Sequence, residues 1–120
     1  MAENMRIKGT MLGREDHGIL TAFLQLEGNG TGQGFGGWCL DSADRPNPAA
    51  GLWISRVLEV VGVAEWEELP GKYVRVVRDR GLISGIGHII EDRWFYPRDE
   101  MKELATQSKE VADVEPSTVA

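Results

Sequence analysis

Polar and apolar residues alternate over Ile19–Glu27, and that alternation is the clearest signal in the chain. Leu20, Ala22, Leu24 and Leu26 fall on one face, while Thr21, Gln25 and Glu27 fall on the other beside Ile19 and Phe23. A period of two predicts a half-buried strand. Met5–Leu12 mixes basic and apolar residues and reads as a strand before it. The polar run Gly13-Arg14-Glu15-Asp16-His17-Gly18 between them predicts an antiparallel hairpin. Over Ala49–Val61 the period lengthens. Trp53, Val57 and Val60 recur at helical spacing, as do Ile54, Leu58 and Val61, and Ser55, Arg56 and Glu59 form a narrow polar stripe. This predicts an amphipathic helix with Gly62 as its C-terminal cap. Ala64–Leu69 reads as a short helical turn, because Trp66 and Leu69 lie three apart.

Alternation returns in Tyr73–Val77, which presents Val74 and Val76 on one face. Arg78-Asp79-Arg80-Gly81 turns the chain, and Leu82–Ile90 is the expected partner strand. Its face with Ile83, Gly85, Gly87 and Ile89 opposes the face with Leu82, Ser84, Ile86, His88 and Ile90. Asp99–Lys109 predicts a short helix through Met101, Leu104 and Ala105. Glu110–Ala120 is expected to be a disordered tail. The order β-β-β-α-β-β gives an α+β fold, about five antiparallel strands with one main helix on the sheet. One domain is expected over 1–97, with 98–120 as a short helix and tail.

The stretch Gly28–Leu40 sits between these elements, with glycine at 28, 30, 32, 34, 36 and 37. If it is extended, the even glycines leave one bare face and Asn29, Thr31, Gln33 and Phe35 decorate the other. A bare face admits close approach by a ligand, another chain or a packed helix. The competing reading is a long flexible hairpin tip leading into a strand at Gly36–Leu40.

Composition narrows the function. A net charge of −6 argues against a general binder of nucleic-acid duplexes, which carry a basic surplus. The single cysteine, Cys39, excludes an intrachain disulfide framework and fits a reducing, cytoplasmic setting. In its apolar context Cys39 reads as a small core residue. Ala2-Glu3-Asn4 is polar and acidic, so no signal sequence is expected at the start, and no apolar run approaches membrane-spanning length.

Gly32-Gln33-Gly34-Phe35-Gly36-Gly37 satisfies G-x-G-x-x-G, but the dinucleotide motif ends a strand and opens a helix, and here a strand follows. His17, His88 and Cys39 have no metal-ligand spacing, so no metal or cofactor is expected. Ser84 and His88, four apart on one strand, are separated by about 13 Å, too far for nucleophile activation. No enzyme is expected. The richer constellation joins Trp38, Trp53, Trp94, Phe95 and Tyr96 with Arg56, Arg75, Arg78, Arg80 and Arg93. Such residues can stack on a base and hold phosphate. They can equally be core aromatics and arginines paired with the plentiful acids.

GQGFGGWCLD at Gly32–Asp41, VLEVVGVAEWEELPGKYVRV at Val57–Val76 and GIGHIIEDRWFYP at Gly85–Pro97 together resemble a family of phage proteins, the Thoeris anti-defence sponges. The resemblance spans about Ile7–Pro97. It implies a phage protein acting in the host cytoplasm. Such a protein binds a nucleotide immune signal, a cyclic ADP-ribose isomer or a cyclic oligonucleotide, without cleaving it. It implies a homo-oligomer, from a dimer up to a hexamer, with pockets between subunits. The nearest candidates in this sequence for the aromatic and arginine residues that hold the ligand are Phe35, Trp38, Arg56, Arg75, Arg78, Trp94 and Phe95, with Gln33 and His88 as polar readers. The acidic surface supports an alternative, a nucleic-acid mimic that inhibits a host effector protein.

Overall fold

The computed structural model describes residues 2–14, 20–41 and 48–103, and for 37–41 and 48 the backbone alone. The elements are β1 (Glu3–Arg14), β2 (Leu20–Gly28), β3 (Thr31–Asp41), α1 (Pro48–Val61), a 3-10 turn at Trp66–Glu68, β4 (Tyr73–Asp79), β5 (Leu82–Gly87) and β6 (Trp94–Phe95). A second helical segment occupies 97–103. The class is α+β, with every strand pair antiparallel and the order β3-β2-β1-β4-β5-β6.

This order puts β4 beside β1 after a meander of three strands, which is a Greek key. β1 serves both halves of the sheet. Glu3–Arg6 pairs with β4 and Arg6–Arg14 with β2, and the register shifts between Ile7 and Gly9 where the strand changes partner. The sheet curls until its ends meet. Phe35 of β3 packs edge-on against Phe95 of β6 with ring centroids 6.3 Å apart. Gln33 of β3 donates from its amide to the Gly81 carbonyl, 3.2 Å away in the β4–β5 turn. With α1 inserted between β3 and β4 in the chain, this is the strand path of a partly open OB-type barrel.

α1 closes the open side. Trp53, Val57, Val60 and Val61 are buried against Met5, Ile7, Leu24, Leu26, Phe35, Val74, Val76, Ile86 and Phe95. Trp53 stacks on Phe35 at 5.9 Å and touches Trp66 at 6.1 Å. Gly62 ends the helix at φ +89° with its N–H on the Leu58 carbonyl at 2.9 Å, the expected glycine cap.

Four local expectations change. The turn between β2 and β3 is two residues long: Asn29 and Gly30 both have positive φ, a type I′ hairpin, so the glycine stretch is strand from Thr31 and not a long tip. β5 ends at Gly87 rather than Ile90, because the backbone turns at His88. A bulge between Val77 and Arg78 puts both Ile83 and Ile86 into the core, where strict alternation separated them. The sixth strand is two residues long, too short for alternation to reveal. At the other end, the expected helix at Asp99–Lys109 overlaps 97–103. Met101 there packs against the core, while the expected tail lies outside the described residues.

Candidate functional site

Of the nine ligand-binding candidates marked in the sequence, seven fall into three internal clusters. Phe35 and Phe95 are 1% and 0% exposed, so both are core and neither offers a face to a ligand. The Trp38 side chain lies outside the described residues.

Arg56, on α1, braces the C-terminal segment. It donates to the Trp94 carbonyl at 2.6 Å and to Glu100 at 2.8 Å, pairs with Glu59 at 2.9 Å, and lies over the Phe95 ring. Burial pulls its basicity down, but the hydrogen bonds to Glu100 and Glu59 outweigh that and hold it above its ordinary value.

Arg75, on β4, straps the turn after β5. It donates to the His88 and Glu91 carbonyls, both at 2.7 Å, and its guanidinium carbon lies 4.6 Å from the Trp94 ring centroid. Trp94 stacks on Tyr96 with centroids 6.2 Å apart and donates from its indole to Asp92 at 2.8 Å.

Arg78 and Gln33 close the seam of the barrel. Arg78 donates to Glu3, to Gln33 and to the Gly81 carbonyl, joining β1, β3 and the β4–β5 turn. The hydrogen bond from Arg78 holds the Glu3 carboxyl below its ordinary value, with Asn29 adding to the effect.

The structure therefore joins Arg75, His88 and Trp94 in one cluster, Gln33 and Arg78 in another, and Arg56 with Phe95 in a third. All three are satisfied from within the chain.

The open surface lies elsewhere, on the outer face of the sheet. Directly opposed residues share a face, so one row runs Gly32–Glu27–Arg6–Tyr73 and another runs Asn4–Arg75–Gly87–Trp94. Both rows carry glycine, with opposite results. At Gly87 and Gly85 the Trp94 and Tyr96 rings lie against bare backbone, and a Cβ at Gly85 would come within 2.6 Å of Tyr96. At Gly34 a Cβ would meet nothing within 4 Å, and at Gly32 nothing closer than 3.7 Å. Neither of these two has positive φ. Packing within the described residues thus requires glycine at 85 and 87 but not at 32 and 34.

Gly32 and Gly34 form one wall of a shallow groove of about 860 Å³, with Arg6, Lys8, Gln25 and Tyr73 around it. Arg6 is tied to Glu27 at 2.5 Å. Lys8 is exposed and has no ion pair among the described residues, and Tyr73 is 57% exposed. Sequence reading passed over Arg6, Lys8, Gln25 and Tyr73. Arg6, Gln25 and Tyr73 share the outward parity of the bare glycines, which was a usable signal. Lys8 shares the parity of Arg6, and the shift at Ile7/Gly9 leaves it without a partner on β2.

Among the described residues no group of three or more His, Cys, Asp or Glu side chains could hold a metal ion, and no helix is long and apolar enough to cross a membrane. No family model, no curated protein and no solved structure matches this chain.

Proposed function

We propose that this protein is a non-catalytic nucleotide binder that sequesters a small signalling nucleotide on the outer face of β1, β2 and β3. The observation that carries the reading is the groove whose glycine wall the fold itself leaves unused. Bare backbone two residues apart takes flat rings, as Gly85 and Gly87 do with Tyr96 and Trp94, and a nucleobase is a flat ring of similar size. Lys8 supplies a free cation for phosphate, while Gln25 and Tyr73 supply polar edges. In OB-type barrels the face of the second and third strands is the one that meets oligonucleotides, a likeness of fold alone. A net charge of −6 favours a small nucleotide over a long strand.

The family resemblance extends this reading to a phage anti-defence protein, acting in the host cytoplasm on a cyclic ADP-ribose isomer or cyclic oligonucleotide. Sequestration at about 1 nM needs roughly −12.3 kcal/mol. A groove open to solvent falls short of that, so a second copy closing over the ligand belongs to the proposal.

The test is to incubate the protein with a panel of cyclic ADP-ribose isomers and cyclic oligonucleotides, remove free ligand, heat-denature the protein and identify what is released. Release of an intact nucleotide, lost in Lys8→Ala and Tyr73→Ala variants that keep the wild-type melting temperature, is the expected result. Release of an altered product makes the protein an enzyme. No capture across the panel overturns the reading. The exposed acids Glu65, Glu67 and Glu68 then favour the second reading, an acidic inhibitor of a host protein.

A further inference from the structure

We propose that the free edge of β3 is a docking site for an extended segment of another protein, one that carries aromatic side chains at two alternate positions. The type I′ turn at Asn29-Gly30 fixes which backbone groups that edge offers. It makes Gly28 and Thr31 a hydrogen-bonded pair, and along an antiparallel ladder such pairs alternate with non-hydrogen-bonded ones. Leu26 with Gln33 and Leu24 with Phe35 are therefore bonded pairs, while Glu27 with Gly32 and Gln25 with Gly34 are not. The N–H and C=O groups of Gly32 and Gly34 point away from β2, and no strand lies beyond them. No hydrogen bond among the described residues reaches these groups. The bonds that join β3 to Arg78 and the β4–β5 turn run through the Gln33 side chain, and both glycines are exposed.

The other edge of the sheet is closed. β6 is two residues long, Arg56 donates to the Trp94 carbonyl at 2.6 Å, and Glu100 accepts from the Tyr96 N–H at 3.3 Å. The Tyr96 carbonyl accepts from the Glu100 N–H at 3.1 Å, and Pro97 has no N–H to offer. A short strand, covering groups and proline are usual means of blocking strand addition. β3 is eleven residues long and has neither charge nor proline from Thr31 to Leu40.

The bare faces of the same glycines set the side chains of the occupant. A strand that bonds to Gly32 and Gly34 places its own bonded residues directly opposite them, with side chains on the outer face. This chain shows what covers glycine in that position. At Gly85 and Gly87 the Tyr96 and Trp94 rings, two residues apart, lie against bare backbone. Aromatic residues two apart therefore fit Gly32-Gln33-Gly34 in the same way. A second β3 paired through these groups would set glycine opposite glycine and leave both faces bare, so the occupant is a foreign segment and not another copy. The edge is available whether or not the groove takes a nucleotide.

The experiment titrates the full chain, free of nucleotide, into fluorescein-labelled hexapeptides and reads anisotropy. The first peptide, threonine-tryptophan-threonine-tyrosine-threonine-serine, is expected to bind saturably. The second has the same composition with the two aromatics adjacent, which sends them to opposite faces, and is expected to bind about tenfold more weakly. The third is the first with the backbone nitrogens of tryptophan and tyrosine methylated, and is expected not to bind. Gly34→Pro removes one outward N–H and leaves the ladder to β2 whole, as edge strands allow. It is expected to melt cooperatively and to lose the first peptide. Gly34→Val keeps the N–H but fills the bare face, and is expected to bind the first two peptides alike. Failure of the first peptide to bind, or equal binding of all three by the wild type, overturns the proposal. So does self-association of the chain that Gly34→Pro abolishes, which gives the edge to a second copy. If Gly34→Pro does not fold, the methylated peptide decides the role of the backbone groups in the wild type.

Discussion

Trp94 is the cross-strand partner of Gly87, and its ring lies on the bare backbone that the missing side chain leaves. The pair explains a glycine that the sequence pattern could only mark. Gly87→Val is expected to displace the ring and destabilise the protein by about 1–3 kcal/mol, the usual scale of overpacking. Gly34→Val, two strands beyond β1 on the same face, is expected to be neutral or to stabilise by up to about 1 kcal/mol, because it gains strand propensity in open space. Urea denaturation of both variants checks this contrast. On the proposed function Gly34→Val also loses nucleotide capture, since its side chain fills the groove wall.

Arg56 ties α1 to both β6 and the segment at 97–103 through the Trp94 carbonyl and Glu100. Arg56→Met keeps the apolar stem and removes every donor. It is expected to cost about 1.5–3 kcal/mol, the scale of hydrogen bonds to a charged group, and this is read as a lower urea midpoint with an unchanged slope. Arg56→Lys is expected to recover part of the loss, because one ammonium cannot reach all three partners with the guanidinium's geometry.

The seam between β3 and the β4–β5 turn is acid-sensitive through Glu3. Arg78 first, and then Asn29, holds this carboxyl below its ordinary value of 4.5. A depressed folded pKa contributes stability above the unfolded value and loses it as pH falls through the folded one. Wild-type stability is therefore expected to fall more steeply below about pH 4.5 than that of Glu3→Gln, with the two curves parallel above about pH 6. Urea midpoints measured from pH 3 to pH 7 give the comparison.

Trp53 joins the helix to the curled sheet by stacking on Phe35 and touching Trp66. Gly36 makes room for it: its φ is +110°, and a Cβ there would stand 2.8 Å from the Trp53 ring. Trp53→Ala is expected to cost about 3–5 kcal/mol. Near-ultraviolet circular dichroism is expected to lose the Trp53 band, while the strand signal persists if the variant folds.

Alternation and helical spacing determined the elements themselves. Ala22, Leu24 and Leu26 turned inward as their period required, as did Val74, Val76, Trp53, Val57 and Val60, because burial selects apolar residues at the spacing of the backbone. The two short turns at Asn29-Gly30 and Arg80-Gly81 were written in their residues too, though the first was masked by the glycines that follow it. Bulges escaped the pattern, since one extra residue moves Ile83 and Ile86 to the same face without altering composition.

The candidate site divided along the same line. That arginine and aromatic residues abound here was plain from the chain, but a guanidinium looks alike in sequence whether it holds a phosphate or the carbonyl of His88. Tertiary structure decided the difference by bringing carbonyls and carboxylates from distant segments within reach of Arg56, Arg75 and Arg78. It also separated glycines that look equivalent in sequence, giving rings to 85 and 87 and open space to 32 and 34. The sequence by itself sets the period of each element and hence its buried face. Which distant groups meet across the curl of the sheet depends on register, bulges and closure, and those are properties of the assembled barrel.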